Sequence, residues 1–401
     1  RTICANSNFN THIRMMDMGI KIAIGTDGPA SNNALDMFRE MFLVTGLQKL
    51  KCHDASSCDA NEVLYMATVN GAHAMGLHDA DILKTGKLAD IIMIDLHLHL
   101  DGSLRPETAW ELFYDKGIFD SLENVRKSFS VSDECTDLNE YLKCFDYPLM
   151  LLQKEDNIVR AVKELGEDLA KEGTDYAEIR FAPMFSTREG LSMEAVTEAA
   201  IEGARQAERE NGIRLNLILC CMRGASVKDN LHTVECAGKY LNNKVCALDL
   251  AGAEGLYATS LYEEVFKKAG RLGIPFTIHA GEAAGPESIW TAIKFGASRI
   301  GHGIRSIEDE RLVEYLAKHE IPIEVCPISN MQTKVYDDIK KYPLKRLLDN
   351  GVHATLNTDN RTVSNTCLLK ERSFVKDKLG LTDRDIELME NYSEKAAFNI
   401  G

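Results

Sequence analysis

The sequence has 401 residues, of which 45% are hydrophobic and 27% are charged, and its formal net charge is −15. This composition indicates a folded protein, and the length allows either two average domains or one large α/β barrel with additions. Lysine and arginine form no run that would suit a nucleic-acid backbone or an anionic membrane surface, so we expect neither partner.

Cysteine usage and hydropathy indicate the cellular compartment of the protein. No apolar stretch is long enough to span a bilayer, and the first residues lack the charged, apolar and small-residue order of a signal peptide. The eleven cysteines follow no disulfide-scaffold spacing and mostly sit inside apolar strand or helix patterns. We therefore expect reduced thiols and a cytoplasmic protein.

Residues 1–95 differ in pattern from the rest of the chain. The stretch 20–44 is typical of a strand, a tight turn and a helix, with Ser31 or Asn32 as the N-cap. A second helical pattern and a short strand follow it. One strand of barrel type cannot close a barrel, so we expect this segment to be an incomplete α/β appendage.

From Asp95 onward, short runs rich in Val, Ile and aromatic residues alternate with longer stretches of helical period. This is the pattern of repeated βα units around a parallel sheet. We predict eight strands, at 95–100, 176–183, 214–221, 245–252, 275–282, 298–304, 321–329 and 353–359. Eight such strands predict an α/β fold of the (β/α)8 TIM barrel type, whose active site lies at the C-terminal ends of the strands.

The first βα connection, at 104–175, is much longer than the others and carries helical patterns of its own. Long structured insertions at that face of a barrel usually form lids or pocket walls. Within it, Tyr141, Leu142 and Phe145 fall on one helical face. Two interpretations stand equally: local helix packing, or an apolar wall for a flat ring.

Residues that suit metal binding and acid–base chemistry stand at the strand ends. His97 and His99 are two apart on the first strand, so both imidazoles point to the barrel interior. Strands five, six and eight end in the other members of the set: His279, Glu282, His302, Asp359 and Asn360. We expect the glycines beside His302 to leave room for a ligand. Three imidazoles and one carboxylate suit one divalent ion of borderline softness, with zinc as the best match.

With these motifs in place, residues from about 95 to 401 resemble the adenosine deaminase family. The resemblance rests on "HLHLDGS", "DLAG", "HAGE", "GHG", "CPISN" and "NTDN", in this order and at barrel spacing. It implies a metal-dependent amidohydrolase barrel that converts adenosine and 2′-deoxyadenosine to inosine and 2′-deoxyinosine with release of ammonia, as in purine salvage. It also implies one zinc ion, held by His97, His99, His279 and Asp359.

The same resemblance implies the remaining roles. Glu282 and His302 would be the acid and the base, since attack of water at C6 of adenine places negative charge on N1. Asp101 would contact the ribose hydroxyl, the backbone N–H of Gly252 would contact purine N3, and Asn360 would contact N7. Some members of the family carry Asp in place of Asn360, and that Asp must be protonated to donate. An amide donates at any pH, so we expect activity to be retained, with an effect on how tightly the purine is held.

Residues 1–95 resemble a different member of the superfamily. "GTDGPASNNALDMFREM" and "GKLADIIMIDL" are similar to the C-terminal end of S-adenosylhomocysteine or methylthioadenosine deaminases. The resemblance implies that Asp27 is the last ligand of a metal site whose other ligands are absent. We therefore divide the chain into a partial amidohydrolase segment, 1–95, and a catalytic domain, 96–401, joined where both would read "IDL". Apolar helix faces without a parent barrel favour self-association or partial disorder of the segment.

Two alternatives stand beside this prediction. An enzyme with the same chemistry could act on adenine or on a 5′-modified adenosine, although Asp101 favours a free 5′-hydroxyl because it would repel a phosphate. From a different class, the chain could be a non-catalytic fusion used for association. The intact set of ligands and acid favours the enzyme.

Overall fold

The structure is a computed structural model, and it describes residues 15, 18–26, 36–77, 93–114, 116–132 and 135–398. The chain divides into two compact units, Arg1–Ile91 and Ile92–Gly401. Among the described residues, none of the helices combines the length and the apolar character that crossing a bilayer requires.

In the smaller unit the described part forms three helices: α1 Met37–Cys52, α2 Ala60–Ala67 and α3 Val69–Ala74. Asp36 caps α1 by accepting the N–H groups of Phe38 and Arg39. Ser31 and Asn32, the predicted N-cap positions, lie outside the described residues, and so does Asp27. A small core of Cys58, Val63 and Met66 is packed against Ile22, Ile24, Met41 and Val44.

The larger unit is a barrel of eight parallel strands in its described part. They are β1 Met93–His99, β2 Thr174–Phe181, β3 Arg214–Met222, β4 Val245–Ala251, β5 Thr277–Ala280, β6 Arg299–His302, β7 Ile323–Val325 and β8 Ala354–Leu356. They form two four-stranded sheets, β1 to β4 and β5 to β8. Parallel bridges between Leu248 and Phe276 and between Leu98 and Asp359 join the two sheets. The predicted (β/α)8 fold is confirmed.

Helices follow the strands around the barrel, and five of them lie in the long first connection. The described helices of this unit are α4 Pro106–Tyr114, α5 Leu122–Phe129, α6 Leu138–Tyr141, α7 Asp146–Leu151, α8 Glu155–Lys171, α9 Met193–Asn211, α10 Val227–Tyr240, α11 Glu263–Arg271, α12 Pro286–Phe295, α13 Glu310–Lys318, α14 Pro327–Gln332, α15 Leu344–Asp349, α16 Leu368–Leu379 and α17 Asp383–Ala396. Their apolar faces pack with the strands into one large core.

The later strands are shorter than predicted. Strand β5 ends at Ala280, and β8 ends at Leu356, before Asp359. Backbone hydrogen bonds continue beyond β8: Asp359 N–H donates to the His97 carbonyl at 2.7 Å, and His99 N–H donates to the Asp359 carbonyl at 2.7 Å. These two bonds place the end of the last strand beside the end of the first.

Candidate active site

Three histidines and one aspartate meet at the mouth of the barrel. One ligand atom from each of His97, His99, His279 and Asp359 lies within 4.8 Å of the others. The Nε2 atoms of His99 and His279 are 3.2 Å apart, and Asp359 Oδ1 lies 3.4 Å from His99 Nε2 and 3.5 Å from His97 Nε2. The structure thus brings together all four residues that the sequence selected as metal ligands.

Carboxylates behind two of the imidazoles fix their orientation. His97 Nδ1 lies 2.7 Å from Glu324 Oε2, and His279 Nδ1 lies 2.8 Å from Asp249 Oδ2. An ionised carboxylate only accepts, so each Nδ1 carries the proton and each Nε2 presents a lone pair to the cluster. His97 Nε2 is buried and has no hydrogen-bond partner among the described residues. A metal ion would satisfy this orphaned lone pair, so the residues present fit a metal.

A buried guanidinium links the two supporting carboxylates. Arg180 donates to Asp249 Oδ2 at 3.1 Å and to Glu324 Oε2 at 3.0 Å, and Arg299 donates to the other oxygen of Glu324 at 2.6 Å. All four side chains are almost completely buried. Sequence reasoning missed them. Their only signal is a charged residue within an otherwise apolar strand, and it does not show which histidine each residue supports.

Protonation states of three of the four residues suit metal binding; for His97, burial and Arg180 lower the pKa, but the interactions with Asp359 and Glu324 outweigh them and raise it, so a metal must displace a proton there. Burial lowers the pKa of His279 and lowers that of His99 well below its usual range. For Asp359, burial opposes ionisation, but the neighbouring His97 and His302 outweigh it, and the pKa is lowered. A metal ligand must be a neutral imidazole or an ionised carboxylate. His99, His279 and Asp359 are therefore held in the forms that bind.

Beside the cluster lies a cavity of about 350 Å³. The predicted acid, base and substrate-contacting residues all line it: Asp101, Gly252, Glu282, His302 and Asn360. Tyr141, Leu142 and Phe145 line it as well, and Tyr141 and Phe145 also belong to a local apolar cluster, so the structure supports both the apolar wall and the local packing. Tyr141 is also buried, with its hydroxyl 2.7 Å from Ser364 Oγ. The volume falls within the range of sites for small molecules.

Glu282 and His302 face each other in this cavity. Glu282 Oε2 lies 3.6 Å from His302 Nε2, and both side chains are buried. Burial raises the pKa of Glu282 well above its usual range, and the charges of Asp359 and Glu254 raise it further. Burial lowers the pKa of His302. Glu282 is thus held as a neutral acid, and His302 as a neutral base.

Two polar atoms in the cavity wall lack hydrogen-bond partners among the described residues. They are Oδ1 of Asp101 and Oδ1 of Asn360, both buried. Burial raises the pKa of Asp101 to about 6. Gly102, between them in the fold, has no space for a side chain, because a Cβ there would lie 1.9 Å from Asn360 Oδ1. Unpartnered buried groups in a cavity are the expected signature of a polar ligand.

The glycines around His302 allow close packing of neighbouring protein atoms and do not make room for a ligand, contrary to the expectation from the sequence. A Cβ at Gly301 would lie 3.1 Å from the His279 Cα and 3.3 Å from the His97 ring. A Cβ at Gly303 would lie 2.7 Å from Ile323 Cγ2. His302 itself has φ 58° and Asp359 has φ 60°. Left-handed backbone at two non-glycine site residues is strain of the kind that concentrates at functional sites.

A closed (β/α)8 barrel with a histidine–aspartate cluster at its C-terminal mouth defines a metal-dependent hydrolase of the amidohydrolase class. The comparisons with known proteins narrow this class. The adenosine deaminase family model matches residues 93–399, and the chain belongs to that family. A second model, described as the amidohydrolase family, matches residues 2–132 and supports an amidohydrolase fragment at the N-terminus.

Among curated relatives, the adenosine deaminase of Haemophilus ducreyi is 46% identical over 321 residues, covering 78% of this chain and 93% of that protein. The adenosine deaminase of Clostridium acetobutylicum is 43% identical, covering 71% and 86%. Among solved structures, an adenine deaminase from Arthrobacter aurescens matches with a TM-score of 0.71 at 25% identity, covering 77% of this chain and 94% of that one. The N6-methyl-AMP deaminase of Arabidopsis thaliana matches with a TM-score of 0.68 at 27% identity, covering 77% and 92%.

Proposed function

We propose that the chain catalyses the zinc-dependent hydrolytic deamination of adenosine and 2′-deoxyadenosine to inosine and 2′-deoxyinosine. The observation that carries the proposal is one cavity that combines a buried, neutral Glu282 with the convergent cluster of three histidines and Asp359. An acid for N1 and a metal-activated water are the two requirements for attack at C6.

His97, His99, His279 and Asp359 would hold the zinc ion. A bound zinc ion would supply a water whose pKa is lowered towards neutrality. Nitrogen-rich donor sets of this kind suit zinc better than calcium or magnesium, which prefer oxygen. We propose one ion, because the four ligand atoms converge on one centre.

The remaining chemistry belongs to the side chains around the purine. Glu282 donates its proton to N1 as the ring loses aromaticity, and His302 accepts a proton from the attacking water. Asp101 accepts a hydrogen bond from a ribose hydroxyl, and its unpartnered Oδ1 supports that role. The backbone N–H of Gly252 meets N3, and the Asn360 amide meets N7.

The nucleoside is the substrate that the cavity supports best. Asp101 is a carboxyl group on the cavity wall, and an ionised carboxylate repels a 5′-phosphate. Several curated relatives with the name adenosine deaminase are 36% to 46% identical to the chain. The adenine and N6-methyl-AMP deaminases of known structure are 25% and 27% identical. Adenine and 5′-modified adenosine are therefore the second choice.

We also propose that 96–401 is the catalytic domain and that 1–95 is a partial amidohydrolase segment. Phe38, Phe42 and Leu50 are exposed apolar side chains of α1, and they support self-association through this segment. Size-exclusion chromatography of the full chain and of a 93–401 fragment tests this. The full chain should elute with an apparent mass above that of its monomer, and the fragment should elute as a monomer. Equal behaviour as monomers would contradict it.

The decisive test of the function follows the ultraviolet absorbance of adenosine during incubation with zinc-loaded enzyme. Glu282→Gln should lower turnover about 100- to 10,000-fold, since an amide cannot give up the proton, and chelation of the metal should abolish turnover. Glu287→Gln is the matched control: this glutamate is exposed and lies five residues away. Its activity should equal that of the wild type. A folded, metal-loaded wild type without turnover would favour the non-catalytic alternative.

A further inference from the structure

The loop that carries Glu282 has its backbone N–H groups gathered on one buried carboxylate. Glu254, 2% exposed, accepts the N–H of Gly281 at 2.8 Å and the Ser288 hydroxyl through Oε1. Its Oε2 accepts three more N–H groups, at 3.0, 2.7 and 2.9 Å, from Glu282, Ala283 and Ala284. Five hydrogen-bond donors thus converge on the side chain of Glu254, more than are needed to hold a loop at the surface.

Glu254 belongs to a different loop from the one it holds. It lies two residues after Gly252, at the end of β4, whereas its partners follow β5. Gly252 and Glu282 both line the cavity, on the two loops that this carboxylate ties together. Under the proposed function these loops supply the contacts to purine N3 and N1.

Further hydrogen bonds stabilise Glu254 and the groups that donate to it. Ser288 Oγ lies 2.7 Å from Thr259 Oγ1, which in turn accepts from Arg223 Nη2 at 3.0 Å. The same nitrogen donates to the His279 carbonyl at 2.6 Å. The network therefore runs from the Glu282 loop back to the strand that carries a histidine of the cluster. A buried hydrogen-bond network of this kind rigidifies its surroundings.

We propose that Glu254 is a positioning residue that fixes the separation between the Gly252 N–H and the Glu282 carboxyl group. It thereby fixes the position of purine N1 relative to the acid. The inference rests on the proposed function, in which Glu282 protonates N1. Proton transfer requires heavy atoms within hydrogen-bond reach, and a misplacement of about 1 Å can lower the rate about 100-fold. Glu254 acts through the loop and does not itself contact the substrate.

Glu254→Gln is the discriminating substitution because it keeps the shape and removes acceptors. An amide presents one oxygen and one NH2 group, so at least two of the five donors lose their acceptor. The loop should relax, and kcat should fall about 100-fold while metal content stays at one ion per chain. KM should change much less, because Gly252 and Asn360 remain in place.

A double-mutant cycle separates positioning from general damage to the fold. The loss caused by Glu254→Gln should vanish in a Glu282→Gln background, measured at enzyme concentrations high enough to follow the residual rate. Equal loss of kcat in both backgrounds would overturn the proposal, and so would wild-type kcat in Glu254→Gln. Glu287→Gln, in the first turn of α12, is the control and should leave kcat unchanged in both backgrounds.

Ser288→Ala keeps the test decisive if Glu254→Gln fails to fold. It removes one of the five donors, so we expect a loss in kcat of about 10-fold that again vanishes in the Glu282→Gln background. Loss in both backgrounds, or in neither, would refute the positioning role. Wild-type turnover in Glu282→Gln alone would instead refute the proposed function, so the two failures are distinguishable.

Discussion

Asp95→Asn tests a buried carboxyl group at the seam between the first and last strands. Asp95 is completely buried, and it accepts the Thr358 hydroxyl at 2.6 Å and the His97 N–H at 3.2 Å. These contacts tie β1 to the segment that ends in Asp359. Burial raises the pKa of Asp95 to about 6, from an ordinary value of about 4. The group should therefore lower the stability of the fold at neutral pH.

The sign and size follow from proton linkage. Below pH 4 the carboxyl group is protonated in both the folded and the unfolded chain, so it has no pH-dependent effect. Between about pH 4 and 6 the unfolded chain ionises and the folded one does not, and stability falls by about 1.4 kcal/mol per pH unit. Above about pH 6 the accumulated loss is constant, at about 3 kcal/mol. The Asp95→Asn variant lacks this loss, because an amide does not titrate.

Urea unfolding at pH 4.0 and pH 7.5 measures the effect. Both tryptophans, Trp110 and Trp290, lie in the unit Ile92–Gly401, so intrinsic fluorescence reports on the barrel. The free energy of unfolding of the variant, relative to wild type, should rise by about 3 kcal/mol between the two pH values. Asp377→Asn, at an exposed site, is the control and should show no such rise. A difference that is the same at both pH values would refute the reasoning.

Three further predictions concern the site. Glu324→Gln should weaken metal binding about 10- to 100-fold in a competition titration, since it loosens His97, whereas the exposed Glu308→Gln should bind as wild type does. Gly102→Ala should raise KM for adenosine at least about 10-fold with metal affinity unchanged, because its Cβ displaces the Asn360 amide; an unchanged KM would contradict the contact. A 93–401 fragment should turn over adenosine within about twofold of the full chain, and loss of activity in the folded fragment would show that the smaller unit contributes.

The metal cluster can be predicted from the sequence because each of its residues is marked by a pattern in the neighbouring residues of the chain. The alternation of His97 and His99 with leucines on one strand sets the direction of both imidazoles, whatever the rest of the fold. Asp359 and His279 follow apolar runs long enough to be read as strands, and parallel strands of a barrel all end at the same face. Periodicity and order along the chain place these residues at one mouth, and the family resemblance selects His279 over His302 as a ligand.

The supporting residues could not be assigned in the same way because their roles depend on neighbours across the barrel. Arg180 contacts Asp249 and Glu324 only through the register of β2, β4 and β7, which no local pattern encodes. Glu254 lies in a loop whose sequence, "AGAEG", looks like an ordinary polar turn. The five donors it accepts belong to a segment about thirty residues further along the chain, and the closure of the barrel alone brings them together.

The charge of the barrel interior gives an independent reason why a divalent ion fits this site. With the imidazoles neutral, as metal ligands must be, the ion-pair network behind the cluster and Asp359 together contain two guanidinium groups, those of Arg180 and Arg299, and four carboxylates: Glu178, Asp249, Glu324 and Asp359. This set has an excess of two negative charges, to which buried Asp95 adds above about pH 6, and unpaired buried charge strongly destabilises a fold. A doubly charged cation held by Asp359 and the three histidines would offset this negative charge. The network that orients the imidazoles thus also sets the charge that the cluster must bind.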